Sequence, residues 1–163
     1  MPEKQRIIGI GQFVVSSRRD ERLTTYSLGS CIGLTLHDPV RRVGGLLHAQ
    51  MPLSTASGTN GGDKPGRYVD TGVAAMLAAL FDLGAARRNL IACAAGGASL
   101  LDEDGLFNIG QRNYVVLRKV LWKNGILLAA EDVHGNVSRS MHLEMATGRT
   151  TITRQGASFR LYP

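Results

Sequence analysis

The sequence predicts an α/β (α+β) fold, a single-domain layered sandwich of mixed β-sheets with flanking helices. Short segments rich in β-branched or alternating apolar residues recur along the chain, which favours several strands. Two longer segments carry apolar residues at helical spacing. A chain of 163 residues can also bury one core without disulfides or metals. We therefore expect residues 1–163 to form one domain in which helices cover mixed sheets.

The first strands are predicted in the N-terminal third of the chain. Residues 6–15, RIIGIGQFVV, are rich in β-branched residues and are bounded by polar clusters, which is typical of a strand. Residues 31–38, CIGLTLHD, place Cys31 on the face opposite an apolar stripe. Residues 43–52, VGGLLHAQMP, alternate in the same way, with His48 on the polar face. The second and third segments are expected to form a hairpin.

The turn of this hairpin predicts its register. A two-residue turn at positions 39–40 pairs Asp38 with Arg41, and a four-residue loop in the same register pairs His37 with Arg42. Directly opposed residues in an antiparallel hairpin keep a constant sum of sequence numbers, so the same register pairs Cys31 with His48. Their Cβ atoms would then lie about 5 Å apart on one face of the sheet.

The middle of the chain predicts a loop and then a helix. Residues 53–67 are too rich in Gly, Ser and Asn to pack, and substrate access is one use for such a loop. Residues 70–83 have apolar side chains at helical spacing, with Asp70 as a candidate N-cap and Gly84 as the C-terminal stop.

The C-terminal half predicts one further helix and several strands. We expect a buried strand at 89–97, a turn at 101–105, a helix over 111–125 that stops at Gly125, and strands at 126–133, 137–145 and 149–154.

Composition and charge narrow the functional classes. The chain carries 19 Lys and Arg against 13 Asp and Glu, a net charge of +6, which suggests an acidic partner. Sparse aromatics and the lack of RNP-like or zinc-finger spacing argue against nucleic-acid binding. No signal peptide or bilayer-length apolar segment is recognisable, so we expect a cytoplasmic protein without membrane insertion. The cysteines at 31 and 93 have no C-x-x-C spacing and are expected to be free thiols.

The pairing of Cys31 with His48 predicts a nucleophile and its base. An imidazole beside a thiol can take its proton, and the thiolate can then attack a carbonyl-type carbon. Thr25 could orient the ring through the other imidazole nitrogen. The turn at Gly29 and Ser30 could point backbone amides at a developing oxyanion.

A structural role for these residues is the alternative. Cysteine is among the most buried residue types, and a lone cysteine in a strand is often a small core residue. Cys93, with no histidine nearby in sequence, is expected to be one. His37 is expected at the surface at a strand end, and none of the histidines has metal-ligand spacing. The acidic segment 101–105 lacks the other ligands of a calcium loop, so no metal or organic cofactor is expected.

Six motifs resemble the CheD family of chemoreceptor glutamine deamidases. They occur in the family's order between about Gly9 and about Thr153, and they are LGSCIGLTLHDP, GGLLHAQMP, RYVDTGVAAML, GAARRNLIACAAGGASLL, IGQRNY and TGR. The resemblance implies hydrolysis of glutamine side chains to glutamate on methyl-accepting chemotaxis receptors, with release of ammonia. It also implies a layered sandwich like that of bacterial toxin deamidases. The family's catalytic cysteine, histidine and threonine fall on Cys31, His48 and Thr25.

The resemblance also implies partners, while other uses of the fold stay open. The substrate would be the cytoplasmic helices of chemoreceptors, and many family members bind the phosphatase CheC. Gly44 and Gly45 could let a substrate helix approach closely, or they could only relieve crowding in the hairpin. Two rival functions are a non-catalytic chemotaxis regulator that binds receptors or a CheC-like phosphatase, and a thiol hydrolase acting on small amides.

Overall fold

A computed structural model describes residues 2–57, 64–100 and 108–162 of the chain. These described residues form ten strands and two α-helices. In chain order they are β1 (Lys4–Ile7), β2 (Phe13–Ser16), β3 (Glu21–Leu28), β4 (Ile32–Asp38), β5 (Val43–Ala49), α1 (Val69–Asp82), β6 (Ile91–Gly96), α2 (Ile109–Lys123), β7 (Leu128–Val133), β8 (Arg139–Glu144), β9 (Thr150–Arg154) and β10 (Ala157–Tyr162). The turn expected at 101–105, and most of the central Gly-rich part of the loop expected at 53–67, lie outside the described residues.

The strands form two mixed five-stranded sheets. The first sheet has the order β1-β3-β8-β9-β10, and the second has the order β2-β5-β4-β6-β7. Each sheet contains one parallel pair, β1 with β3 and β6 with β7, among antiparallel pairs. The expected α/β class with mixed sheets and flanking helices is confirmed.

Two apolar layers hold the sheets and helices together. Side chains from both sheets form one layer, which contains Leu23, Leu46 and Met141. The other face of the second sheet packs against α1 and α2 through residues such as Leu34 and Leu80. The molecule is therefore a sheet-sheet-helix sandwich, and the second sheet is covered on both faces.

The N-terminal segment differs from its prediction. Residues 6–15 do not form one strand, because β1 and β2 belong to different sheets. Between them the buried Ile8 enters the layer between the sheets, and Gly11 turns the chain at a φ of +79°. A left-handed φ is readily adopted by glycine. The chain therefore passes from one sheet to the other within a segment whose composition favours a continuous strand.

Both helices lie close to their predicted bounds. Helix α1 begins at Val69, so Asp70 is in its first turn and the N-cap prediction is wrong. The Asp70 carboxylate instead accepts hydrogen bonds from the backbone amide and hydroxyl of Ser54, both at 3.0 Å. Gly84 follows α1 at a φ of +97° and Gly125 follows α2 at +71°, which confirms both predicted C-terminal stops.

The β4–β5 hairpin has a wider turn than predicted. Asp38 pairs with Val43 and His37 with Gly44, so the turn contains four residues, 39–42. Both predicted closing pairs, Asp38 with Arg41 and His37 with Arg42, are therefore wrong. The Asp38 carboxylate stabilises the wider turn, because one of its oxygens accepts hydrogen bonds from the backbone amides of Val40 and Arg41, both at 2.9 Å. Its other oxygen accepts a backbone amide from the segment after α1 at 2.8 Å.

The wider turn shifts the hairpin register by two residues. His48 lies opposite Gly33, and in the same register Cys31 falls opposite Gln50. The predicted direct pairing of Cys31 with His48 is therefore wrong. Because side chains alternate with a period of two, an even shift leaves both on the same face of the sheet. They become diagonal neighbours, typically separated by about 7–8 Å rather than 5 Å.

None of the helices in the described ranges is long and apolar enough to span a lipid bilayer.

Candidate active site

Cys31 lies where the chain passes from the first sheet to the second. It directly precedes β4, and its side chain is 9% exposed at the edge of the layer between the sheets. Two backbone hydrogen bonds from the loop after β6 hold this segment. The amide of Gly97 donates to the Cys31 carbonyl and the amide of Ala98 donates to the Gly29 carbonyl, both at 2.8 Å. The backbone on each side of the thiol is therefore fixed.

His48 is buried in β5 and bonded to Thr25 across the gap between the sheets. The Thr25 hydroxyl lies 2.6 Å from His48 Nδ1 and 2.7 Å from the Ile8 carbonyl oxygen. A carbonyl oxygen only accepts hydrogen bonds, so the hydroxyl donates to Ile8 and must accept from His48. Nδ1 therefore carries the hydrogen, and Nε2 keeps its lone pair. The contact expected between Thr25 and the ring is present.

The imidazole nitrogen on the other side of the ring is unpartnered. His48 Nε2 is buried and has no hydrogen-bond partner in the described part of the chain. The thiol of Cys31 therefore does not share a proton with His48 in this structure, although both side chains face the first sheet. A lone pair that is buried and unpaired costs free energy. An acceptor of this kind is available to a nearby donor.

Burial keeps both groups uncharged at neutral pH. Desolvation raises the pKa of the Cys31 thiol, an effect that its own backbone amide partly offsets. Desolvation lowers the pKa of His48 from 6.5 to about 4. A resting thiolate-imidazolium pair is therefore disfavoured. The arrangement instead offers a neutral thiol and a neutral base.

The loop before Cys31 leaves backbone donors available. Among the described residues, the backbone amides of Ser30 and Cys31 donate no hydrogen bond to another residue. The amide of Gly29, in contrast, donates to the Ser27 carbonyl at 3.0 Å. Ser30 is exposed and Gly29 is buried. A Cβ on Gly29 would lie 2.7 Å from a terminal methyl of the exposed Leu100 side chain, so a larger residue at position 29 would make Leu100 turn away.

Gly44 and Gly45 lie inside the sandwich and do not form a surface for a substrate. A Cβ on Gly44 would lie 2.9 Å from the Leu36 carbonyl oxygen, and one on Gly45 would lie 2.7 Å from the Val14 carbonyl oxygen. Both glycines are buried. The proposed role in substrate approach is therefore corrected to a packing role, because main-chain atoms occupy the space beside each glycine.

Asn113 of α2 also belongs to the site, and sequence reasoning assigned it no role. Its side-chain amide donates to the Ser30 carbonyl at 2.9 Å and to the Gln50 carbonyl at 3.1 Å. The sequence could have indicated this residue, because Asn113 is a polar residue on the buried face of α2, in line with Leu117 and Leu121.

Two other histidines, His37 and His142, and the second cysteine, Cys93, stay outside this cluster. His37 is 6% exposed, so its predicted surface position is wrong. His142 bonds to Thr24 and Thr153. Cys93 is 1% exposed and confirmed as a core residue. Within the described ranges, no three His, Cys, Asp or Glu side chains lie close enough together to hold a metal ion.

Comparisons with known proteins identify the family. Residues 50–154 match the family model described as CheD chemotactic sensory transduction. A protein from Solibacter usitatus named probable chemoreceptor glutamine deamidase CheD is 44% identical over 160 residues, covering 98% of this chain and 95% of its own length. A protein from Syntrophus aciditrophicus named probable chemoreceptor glutamine deamidase CheD 1 is 40% identical, covering 94% and 96%. A protein from Pyrococcus horikoshii with the first of these names is 39% identical, covering 93% of each chain.

Solved structures give a weaker likeness. The hypothetical protein YfiH of Bacillus licheniformis has a TM-score of 0.47 and 16% identity, covering 74% of this chain and 49% of its own. A Neisseria meningitidis protein of the DUF152 family has a TM-score of 0.47 and 10% identity, covering 82% and 63%. The family model and the nearly full-length relatives together show that this chain belongs to the CheD family.

Proposed function

We propose that this chain is a chemoreceptor glutamine deamidase, which hydrolyses glutamine side chains of receptor helices to glutamate. The names of relatives that match nearly the whole chain support this reaction. One structural observation supports the chemistry. The bond from Thr25 leaves an unpartnered imidazole nitrogen of His48 on the same sheet face as the Cys31 thiol.

The reaction would begin with a neutral thiol and a neutral imidazole. Cys31 Sγ attacks the carboxamide carbon of the substrate while its proton moves to His48 Nε2. The carbonyl oxygen becomes an oxyanion, for which the amides of Ser30 and Cys31 are candidate donors. The imidazolium then protonates the leaving nitrogen, the C–N bond breaks, and ammonia departs. A thioester between Cys31 and the substrate remains.

Water completes the cycle. His48 Nε2 accepts a proton from water as the oxygen attacks the thioester carbon. The C–S bond breaks, the sulfur regains the proton from His48, and the product leaves as glutamate. Each turnover consumes one water and releases one ammonia. No step of this cycle requires a metal or an organic cofactor.

The thiol has to approach the imidazole before it can transfer its proton. Catalytic hydrogen bonds are often long in free enzymes and tighten only in the complex with substrate. Cys31 is the last residue before β4 and is 9% exposed, so a rotation of its side chain does not require the strand to move. Substrate that excludes water from this edge would strengthen the interaction.

The proposed substrate agrees with the charge of the chain. A net charge of +6 favours a partner with acidic side chains, such as a receptor helix with glutamates around its modified glutamines. The action is proposed to occur in the cytoplasm, where those helices are accessible. A CheC-like phosphatase is proposed as a regulatory partner.

A receptor deamidation assay tests this function. The protein is mixed with receptor cytoplasmic fragments, and mass spectrometry follows the replacement of NH2 by OH at each glutamine. We expect Cys31→Ala to abolish conversion. Cys93→Ala is the matched control, because it removes the other thiol, which is buried in the core, and should keep the activity. Full conversion by Cys31→Ala would refute Cys31 as the nucleophile.

The principal rival is a regulator that binds receptors or a phosphatase without catalysis. The absence of a resting contact between the thiol and His48 is the observation that favours it. This rival predicts that receptor fragments bind the wild-type protein and the Cys31→Ala variant equally, and that neither protein changes their mass. Hydrolysis of free glutamine at a rate comparable to that of receptor fragments would favour a small-amide hydrolase instead.

A further inference from the structure

Asn113 holds together the two segments that carry Cys31 and His48. Its side chain is fully buried, and its nitrogen donates to the carbonyls of Ser30 and Gln50 at 2.9 and 3.1 Å. Both partners are carbonyl oxygens, which only accept hydrogen bonds, so the orientation of the carboxamide is fixed. Both amide hydrogens are used within the protein.

These two carbonyls lie where the strands β4 and β5 separate. The last pair of the ladder is Ile32 with Ala49, and the next position in that register would pair Cys31 with Gln50. Instead, the Cys31 carbonyl accepts from the loop after β6 at 2.8 Å, and the Gln50 amide donates to the segment before α1 at 2.8 Å. The Asn113 carboxamide therefore spans a gap that no ladder hydrogen bond closes.

Helix α2 reaches this gap because glycines allow close approach. A Cβ on Gly110, one turn before Asn113, would lie 2.4 Å from the Ala98 carbonyl oxygen. Real Cβ atoms do not approach main-chain oxygens so closely, so the helix could not pack here with another residue at position 110. The same loop binds the backbone around Cys31 through the amides of Gly97 and Ala98. The start of α2, the loop after β6 and the backbone around Cys31 are therefore packed against one another.

The other end of the carboxamide argues against a role in stability alone. Asn113 Oδ1 is buried and has no hydrogen-bond partner among the described residues. A buried acceptor without a partner costs free energy, and an apolar side chain of similar shape would avoid that cost. An asparagine at this position therefore costs stability on its Oδ1 side while its nitrogen joins two segments of the site.

We propose that Asn113 is a positioning residue that sets the separation between Cys31 Sγ and His48 Nε2. It acts through the Ser30 carbonyl, adjacent to Cys31, and the Gln50 carbonyl, two residues after His48. It does not touch the reacting atoms. The inference rests on the proposed pairing of thiol and base, but its test does not need a receptor substrate.

The test measures alkylation of Cys31 by iodoacetamide in a Cys93→Ala background. We expect His48→Gln to slow alkylation near pH 7, because it removes the base. Asn113→Leu, which has a similar shape and no donors, should slow it roughly tenfold or more, since small displacements of reacting groups have effects of that size. In the His48→Gln background the same change should have little further effect. If Asn113 had a purely structural role, Asn113→Leu would slow alkylation by the same factor whether or not His48 is present.

Asn124→Leu is the matched control. It removes an asparagine from the C-terminal end of the same helix, where the side chain donates to the Val120 carbonyl at 2.8 Å. It should leave alkylation of Cys31 unchanged. Asn113→Asp provides a second variant, because a carboxylate keeps the shape but cannot donate to either carbonyl. Circular dichroism and thermal melting establish which variants are folded.

The outcomes separate this inference from the proposed function. The inference would be overturned if folded Asn113 variants are alkylated at Cys31 as fast as the parent. It would also be overturned if they slow alkylation equally with and without His48→Gln, even if receptors are deamidated. Loss of the His48-dependent rate in the Asn113 variants would support it even if no receptor fragment is converted. If neither Asn113 variant folds, the residue serves the fold and the positioning role is rejected.

Discussion

At the residue scale, the hydroxyl of Thr25 determines the state of the proposed base. It accepts a hydrogen from His48 Nδ1 and donates its own to the Ile8 carbonyl. This relay leaves Nε2 as the acceptor, in the form that a general base needs. Burial lowers the pKa of His48 to about 4, so the ring stays neutral at physiological pH.

Replacing Thr25 tests this relay. Thr25→Val keeps the shape but leaves the Nδ1 hydrogen of His48 without a partner, so the other tautomer becomes accessible. We expect kcat for receptor deamidation to fall about 10- to 100-fold with little change in KM, as for other losses of positioning. Thr25→Ser restores the hydroxyl and should recover most of the activity. Equal activity in the valine and serine variants would contradict the proposed role.

Buried histidines predict loss of stability in mild acid. Burial lowers the pKa of His48 and His142 from 6.5 to about 4, with Arg22 contributing at His142. The unfolded chain therefore binds more protons in this window. Stability is fully present above about pH 6.5 and is lost as the pH falls toward 4. Each histidine should lower the free energy of unfolding by about 2–3 kcal/mol at pH 4.5.

Urea unfolding of the parent and of His142→Gln checks this dependence. His142 lies outside the proposed site, on a network with Thr24 and Thr153. The difference in stability between pH 7 and pH 4.5 should be smaller in the variant, because the ring of His142 no longer titrates. Identical differences in the two proteins would show that His142 does not titrate in this window.

At the element scale, the end of β6 and the loop after it hold the Cys31 segment through two closely packed glycines, Gly96 and Gly97. Gly96 has a φ of +103°, and a Cβ there would lie 2.3 Å from the Cys31 carbonyl oxygen. The loop can donate to the Cys31 carbonyl from Gly97 only because no side chain intervenes. The end of a central strand thus shapes the backbone of the proposed nucleophile.

Two glycine substitutions separate backbone strain from this close contact. Gly84 has a similar φ of +97° but no atom within 4 Å of its would-be Cβ. Gly84→Ala should cost about 1–2 kcal/mol of unfolding free energy, from the left-handed conformation alone. Gly96→Ala should cost more, about 2–5 kcal/mol, because overlap with a main-chain oxygen adds to the strain. Thermal or urea unfolding measures both, and equal costs would contradict the packing argument.

At the scale of the whole molecule, net charge governs the encounter with an acidic partner. The chain has a charge of +6. At physiological ionic strength, interactions between exposed charges are largely screened beyond roughly 8 Å. Complementary charges mainly accelerate association and fix orientation. The proposed chemical step starts from two buried neutral groups, Cys31 and His48, and should not depend on this field.

Salt should therefore act on binding rather than on turnover. We expect KM for an acidic receptor fragment to rise several-fold between low and high ionic strength, with kcat nearly constant. A fragment with alanines in place of the flanking glutamates should have a higher KM at low salt and a weaker salt dependence. A fall in kcat with unchanged KM would assign the salt effect to the chemical step. Alkylation of Cys31 by neutral iodoacetamide provides a salt-insensitive reference.

The sequence by itself determined the features that depend on local patterns. Helical spacing and terminal glycines located α1 and α2, and two-residue alternation placed Cys31 and His48 on the same sheet face. The face prediction survived a wrong turn length because the shift in register was even. The turn itself was missed because Asp38 stabilises it partly through a backbone amide 48 residues later in the chain. A local pattern does not report such a distant partner.

Only the tertiary structure decided how the site is assembled. Thr25 meets His48 from the opposite sheet, and Asn113 reaches both site segments from a helix. The split of residues 6–15 between two sheets and the burial of His37 also arise from packing. The physical reason is that each of these features depends on elements far apart in sequence. Local propensities set strands and helices, whereas packing determines which side chains meet and which lose contact with water.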